Sequence, residues 1–245
     1  MSVHEARKQV RLLLDDSSAA DAPTAYYALF HPPERSAIFT QKDSAGRVVG
    51  FAGRFQTGID LFRPLMTLRC TDPACAADVL SRALLPGRPY IFFANANQLP
   101  LVGGSLRVEN ERILNIYHLD VSRFKPELNV LVQTRKTADG LPRCVISANG
   151  LEAVAGLNWK SPAFAEIYVH VDAQARQRGW GRSVAAAITQ LVLAEGRVPL
   201  YLVESDNEPS LRLAESLGYV STGARQVYAD AVYLGHPEAL ERERE

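Results

Sequence analysis

The feature that most constrains the fold is the stretch Phe164–Ser183, in which a strand pattern leads through a basic turn into a helix pattern. Ile167 and Val169 alternate with polar residues, which is the period of two expected of a strand. From Val184 onward apolar residues recur every three or four positions, and Gly196 is placed as a C-terminal helix cap. The stretch therefore predicts a strand, a turn and a helix in succession.

The turn itself, Arg176–Arg182, combines three arginines with two glycines. A helix N-terminus presents unpaired N–H groups and the positive end of the helix dipole, and neighbouring glycines let a ligand approach the backbone. These properties favour a bound diphosphate. By themselves they do not distinguish between nucleotides.

Composition limits the classes of function. Lysine plus arginine and aspartate plus glutamate number 27 each, so the formal net charge is zero and no broad nucleic-acid surface is predicted. The three cysteines lack metal or disulfide-framework spacing, which indicates reduced, structural thiols and no metal site. The N-terminal charges are atypical of a signal peptide, and the least charged stretch is broken by Pro100 and Gly103. We expect a cytoplasmic protein without a membrane segment, and a monomer or homodimer.

Strand and helix patterns alternate along the chain, which predicts a mixed α/β fold. Upstream of a boundary at Lys125-Pro126-Glu127, the apolar patterns and turn signals predict these elements: helices at 3–15, 19–30 and 73–84, and strands at 36–41, 47–55, 64–70, 89–95 and 108–119. Downstream, a strand at 129–135 and a hairpin around Asn149-Gly150 precede the organising strand. A strand at 198–205, a helix beginning at Asn207 and two strands at 219–223 and 226–233 complete the pattern. We expect domains at 1–126 and 127–236 and a charged tail at 237–245.

Two sequence motifs resemble the signatures of the GNAT superfamily of acyl-CoA-dependent N-acetyltransferases. Arg176, Gly179 and Gly181 occupy the fixed positions of R/Q-x-x-G-x-G/A behind a strand ending in valine. The second signature, N-x-x-S/A followed by a helix and G-F/Y, is matched from Asn207 to Tyr219. The resemblance covers residues 128–235. It implies a GNAT fold in the C-terminal half, and the upstream half resembles a degenerate copy, as in two-domain relatives.

The resemblance also implies a binding site for acetyl-CoA. In the family, the strand end pairs with pantetheine, the turn binds the diphosphate, and the second motif lies across the cofactor. Carried over residue by residue, the cofactor-binding positions are Val169, His170, Val171, Arg176, Gln177, Arg178, Gly179, Trp180, Gly181, Arg182, Ser183, Asn207 and Ser210.

Acyl transfer to an amine needs a proton acceptor, and Glu166 is the candidate general base because the family often places a glutamate in this strand. The alternative for Glu166 is a structural pairing with a neighbouring strand. The family's usual acid is a tyrosine at the position of Ala214, so the proton donor to the leaving thiolate is open between Ser210, Tyr201, Tyr228 and solvent.

The predicted function is transfer of an acetyl group from acetyl-CoA directly to a primary amine on a small molecule, amino acid or peptide. Two alternatives remain open: transfer of a longer acyl group, as the two-domain plan suggests, and a non-enzymatic CoA-binding sensor or interaction protein, as Ala214 suggests.

Overall fold

The fold is taken from a computed structural model, which describes residues 2–58 and 60–235. The chain forms two compact units. Unit 1 runs to Leu114 and resumes at Ala224, and unit 2 is Asn115–Gly223. Unit 1 thus contains an early and a late part of the chain, whereas the single boundary expected from sequence lies near Pro126.

The described part of the chain contains six α-helices and eleven β-strands. The α-helices are α1 (Val3–Val10), α2 (Ala22–Ala25), α3 (Pro73–Ala83), α4 (Leu99–Val102), α5 (Trp180–Ala194) and α6 (Glu208–Ser216). The first six strands are β1 (Ser36–Lys42), β2 (Val48–Phe55), β3 (Leu65–Arg69), β4 (Pro89–Asn95), β5 (Leu106–Leu119) and β6 (Gln133–Lys136). The remaining strands are β7 (Pro142–Ala148), β8 (Leu151–Lys160), β9 (Phe164–Val171), β10 (Val198–Glu204) and β11 (Tyr219–Tyr233).

Strands β5 and β11 each run from one unit into the other, and unit 1 holds the first part of β5 and the last part of β11. Its strand order is β1-β2-β3-β4-β11-β5. The pairs β1–β2, β2–β3 and β4–β11 are antiparallel, whereas β3–β4 is parallel and is connected through α3. Asp72 caps α3 by accepting the N–H of Cys75 at 2.8 Å. Ala76, Leu80 and Ala83 of α3 are buried in the core with side chains of the sheet. These spacings of three and four put the apolar residues of α3 on one face.

Unit 2 holds the first part of β11 and the last part of β5, and its strand order is β11-β5-β10-β9-β8-β7-β6. Strands β6 to β9 are antiparallel neighbours, and β9–β10 is parallel. Helix α5 packs on this sheet through Val184, Ile188 and Val192, which are at most 2% exposed. Ile167 of β9 belongs to the same core. The mixed α/β fold class predicted from sequence is confirmed.

Several element boundaries from the sequence are corrected. The last two predicted strands form one continuous strand, Tyr219–Tyr233, in which Gly223 takes a positive φ of 77° without ending the strand. The strand expected from Asn129 starts only at Gln133, because the side-chain oxygen of Asn129 accepts the N–H of Leu131 at 3.0 Å and forms a local turn. The expected charged tail lies outside the described residues.

Candidate functional site

The two central strands of unit 2, β9 and β10, begin side by side and then separate. Their register covers Phe164–Ile167 against Val198–Tyr201, although β9 continues to Val171 and β10 to Glu204. On its other side, β9 stays paired with β8 as far as Val171 opposite Ala153. A gap therefore opens between β9 and β10 beyond Ile167 and Tyr201. The main chain of β9 that faces this gap can pair with an extended ligand, as it would with another strand.

The turn after β9 leaves the start of α5 without a side-chain cap. Gln177 and Gly179 take positive φ values of 63° and 78°, and Gly179 is the N-cap residue of α5. Side chains cap the other three described helices of eight residues or more, from Ser2, Asp72 and Asn207. The first N–H groups of α5 and the positive end of its dipole are thus available to an anion.

Helix α6 supplies the opposite wall. The side-chain oxygen of Asn207 accepts the N–H of Ser210 at 3.2 Å, and Pro209 occupies the first turn, where a missing N–H costs nothing. The amide nitrogen of Asn207 is a hydrogen-bond donor at the same end of the helix.

These elements enclose an open cavity of about 710 Å³ within unit 2. Its lining comes from the end of β9, the turn, the start of α5, one residue of β10 and the first two turns of α6. The lining residues are Val169, His170, Val171, Ala175, Arg176, Gln177, Gly179, Trp180, Gly181, Arg182, Tyr201, Asn207, Pro209, Ser210, Arg212 and Leu213. The volume lies within the range of about 300–1,000 Å³ that is typical of small-molecule and cofactor sites.

Three arginines line the cavity, and they differ in whether they form ion pairs with carboxylates. The Arg182 guanidinium donates to a carboxylate oxygen of Glu127 at 3.0 Å, and that of Arg212 donates to Glu208 at 2.8 Å. Across residues 2–58 and 60–235, Arg176 forms no ion pair. Arg176 is therefore the cavity arginine whose charge is most available to a ligand.

Two residues predicted to bind the cofactor do not line the cavity. The Arg178 guanidinium lies over the ring of Trp180, 5.6 Å from its centroid. The Ser183 hydroxyl is buried, donates to Glu127 at 2.7 Å and accepts the Asn129 side-chain amide at 3.0 Å. Ser183 thus ties the segment before β6 to α5.

The structure also brings to the cavity residues that sequence reasoning did not assign to the cofactor: Ala175, Tyr201, Pro209, Arg212 and Leu213. Arg212 and Leu213 follow Pro209 by three and four positions, so the helical period could have predicted that these three residues share one side of α6. For Tyr201 the sequence signal is weak, because its place depends on where β9 and β10 separate.

Glu166 is buried on β9, next to the point of separation. It is 9% exposed and accepts a hydrogen bond from the Asn158 side-chain amide at 2.7 Å. Burial raises its pKa to about 7, while hydrogen bonds from Asn158 and Trp159 act in the opposite direction. Asn158 reaches Glu166 because the β8–β9 register shifts between Leu157 and Trp159. Glu166 can thus take up or release a proton near neutral pH, which a general base requires.

Tyr201 marks the apex of the gap, because it is the last β10 residue in register with β9, opposite Ile167. Its side chain is 6% exposed and is hydrogen-bonded to Ser210, which lines the same cavity from α6. Burial raises the pKa of Tyr201, and the Ser210 hydrogen bond lowers it by a smaller amount. The hydroxyl is therefore protonated at neutral pH and can donate a hydrogen bond.

Ala214 is fully buried in the core of unit 2, so α6 presents no side chain from that position to the cavity.

Among residues 2–58 and 60–235, no group of three histidine, cysteine or acidic side chains could hold a metal ion. Within the same part of the chain, no helix is both long and apolar enough to cross a membrane.

The comparisons with known proteins bear on the fold. Residues 150–228 match the family model described as FR47-like protein. No curated protein matches the chain significantly. A Drosophila protein of known structure superposes with a TM-score of 0.65 at 12% identity, over 95% of this chain and 96% of that one.

Two further solved structures carry GNAT names. A tandem GNAT protein from the clavulanic acid biosynthesis pathway has a TM-score of 0.60 at 14% identity, over 95% of this chain and 97% of that one. A GNAT-family acetyltransferase structure from Novosphingobium aromaticivorans has a TM-score of 0.56 at 16% identity, over 74% and 88%. The chain has the GNAT fold, and the resemblance to this superfamily drawn from its motifs is confirmed.

Proposed function

We propose that the protein is an N-acetyltransferase that moves an acetyl group from acetyl-CoA directly to a primary amine. The observation that carries the proposal is the continuous cavity that joins the separated ends of β9 and β10 to the uncapped start of α5. A CoA molecule has an extended amide-containing arm and a diphosphate, and this cavity offers a strand edge for the first and N–H groups with Arg176 for the second.

In this arrangement the cofactor has one orientation. The diphosphate would lie at the turn from Arg176 to Gly181, and the pantetheine arm would run along Val169 and Val171. The thioester would then reach the apex of the gap near Ile167 and Tyr201. Glu166 does not itself line the cavity, but it precedes Ile167 on β9 and so lies beside the end of the site at which the thioester would react.

Glu166 is the proposed general base. An amine acceptor is mostly protonated at neutral pH and must lose a proton before it attacks the thioester carbon. With a pKa of about 7, the carboxylate is partly charged near neutrality and can accept that proton directly or through a water molecule. A backbone N–H near Val169 is suited to polarise the thioester carbonyl.

Tyr201 and Ser210 form the proposed donor to the departing thiolate. The hydrogen-bonded pair reaches the cavity from β10 and α6, where Ala214 provides no hydroxyl. The CoA thiol ionises only slightly above neutral pH, so a single hydrogen bond suffices to stabilise the thiolate as the C–S bond breaks.

The test is CoA release from acetyl-CoA across a panel of primary amines, for the wild type and Glu166→Gln. The Gln variant should bind acetyl-CoA as the wild type does and turn over about 100- to 10,000-fold more slowly. Glu215→Gln, at an exposed position of unit 2, is the matched control. Absence of both binding and turnover in the wild type would refute the proposal.

The buried Ala214 favours one second candidate, a non-enzymatic CoA sensor. Tight acetyl-CoA binding without turnover of any amine would support the sensor. Comparing acetyl-, propionyl- and succinyl-CoA in the same assay decides between acetyl transfer and transfer of a longer acyl group.

A further inference from the structure

Two of the three cysteines share one site in unit 1. Cys70 directly follows β3, and Cys75 lies in the first turn of α3. Both sulfur atoms lie within 3.0 Å of one point, the position that a Cβ atom on Gly50 would take. Gly50 is in the middle of β2, where glycine is unfavourable by about 0.5–1 kcal/mol relative to alanine. The missing side chain thus makes the room that the sulfur pair occupies.

Side chains of neighbouring residues hold the main chain of both cysteines in place. The N–H of Cys70 donates to the side-chain oxygen of Gln98 at 2.8 Å, and the N–H of Cys75 donates to the capping carboxylate of Asp72 at 2.8 Å. Both residues are free thiols and 6% exposed. The third cysteine, Cys144, is also a free thiol and fully buried, but it belongs to unit 2.

The two thiols differ in acidity. A hydrogen bond between the two side chains lowers the pKa of Cys75 and, together with burial, raises the pKa of Cys70. Asp72 and Asp78 face Cys75 and act against its ionisation. Cys75 is therefore the member of the pair that more readily becomes a thiolate, which is the form that reacts with oxidants.

We propose that Cys70 and Cys75 are an oxidisable dithiol that closes to an intramolecular disulfide when the protein meets a peroxide. The Cys75 thiolate attacks a peroxide oxygen, the O–O bond breaks, and a sulfenic acid forms at Cys75 with release of hydroxide. The Cys70 sulfur then attacks the Cys75 sulfur, an S–S bond forms, and the sulfenic oxygen leaves as water with the Cys70 proton. Two thiols and one hydrogen peroxide thus give one disulfide and two waters.

This site is separate from the proposed acyl-transfer chemistry, because none of its residues lines the cavity of unit 2. The disulfide would link the end of β3 to the first turn of α3. Within this junction Asp72 already holds the N–H of Cys75, and Gln98 holds that of Cys70 from outside it. A change in the sulfur oxidation state therefore requires only local movement of the four residues between the cysteines.

The chain has a convenient internal control. Cleavage after Arg69 and Arg82 places Cys70 and Cys75 in one tryptic peptide, and cleavage after Arg143 and Lys160 places Cys144 in another. The full-length protein is treated with graded hydrogen peroxide, denatured, alkylated with N-ethylmaleimide, digested and analysed by mass spectrometry. After oxidation, the peptide 70–82 should carry neither maleimide group and should be two hydrogen atoms lighter than the same peptide with two free thiols. The peptide 144–160 should keep its single maleimide.

Single-cysteine variants test the order of the steps. In Cys70→Ser, the sulfenic acid at Cys75 should persist and be trapped by dimedone, whereas Cys75→Ser should leave Cys70 alkylated by maleimide. Circular dichroism of each variant before oxidation verifies that it is folded. The proposal is overturned if peptide 70–82 keeps two maleimides after the peroxide has fully oxidised free cysteine, or if it passes to sulfinic acid without a disulfide.

Discussion

Replacing Glu166 with glutamine should remove the proposed base and, at the same time, stabilise the fold at alkaline pH. The side chain is 9% exposed and has a pKa of about 7, against an ordinary value of 4.5. Between these two values the folded state binds a proton that the unfolded state has lost, so wild-type stability falls as pH rises from about 4.5 to about 7. At 1.36 kcal/mol for each tenfold change, the charged carboxylate costs the folded state about 3 kcal/mol above pH 7.

Glutamine keeps the shape and still offers an oxygen to Asn158, but it carries no charge. The assay is urea unfolding of wild type and Glu166→Gln at about pH 5 and about pH 8.5. The advantage of the variant should grow by about 2–3 kcal/mol between these two conditions, and Glu215→Gln should show no such growth. An equal difference at both pH values would refute the assignment of this proton to Glu166.

The remaining predictions concern the cavity and the sheet beneath it. Arg176→Gln should weaken CoA binding about tenfold or more by calorimetry, because a charge-assisted hydrogen bond contributes about 1.5–3 kcal/mol. The control is Arg135→Gln on the exposed edge strand β6, which should bind CoA as the wild type does. Equal affinities of the two variants would contradict the role of Arg176. Tyr201→Phe should raise the pKa of the thiol of bound CoA by about one unit, because the variant loses the hydroxyl that stabilises the thiolate. This pKa is measured from thiolate absorbance, with desulfo-CoA as the blank. An unchanged pKa would exclude Tyr201 as the donor. Gly156→Ala should lower the free energy of unfolding by about 1–3 kcal/mol in urea, because the new Cβ atom would lie 2.7 Å from the Tyr168 hydroxyl. Unchanged stability would contradict this prediction and show that the Tyr168 ring moves aside freely.

Local patterns predicted the centre of the site well. The strand, turn and helix from Phe164 to Ala194 follow from alternation, glycines and helical spacing, which are properties of neighbouring residues. The cap at Asn207 was predicted for the same reason. The break expected within Tyr219–Tyr233 was wrong, because a residue with positive φ can be accommodated in a strand whose neighbours hold its register.

Features that depend on distant residues could not be derived in this way. The burial of Glu166 and its raised pKa depend on the register shift beside Asn158 on another strand. Likewise, Tyr201 reaches the cavity because β9 and β10 separate after Ile167, and no local pattern in either strand encodes that separation. The sulfur pair over Gly50 brings together three elements of unit 1 and could not be inferred from cysteine spacing.

Calorimetric titration of the protein with CoA tests most directly whether the cavity of unit 2 is a CoA site. Saturable binding with one CoA per chain is expected. At a free concentration of about one hundred times the dissociation constant, CoA should also raise the free energy of unfolding by about 2.7 kcal/mol. A titration without heat, together with an unfolding curve that CoA does not shift, would contradict a CoA site in this cavity.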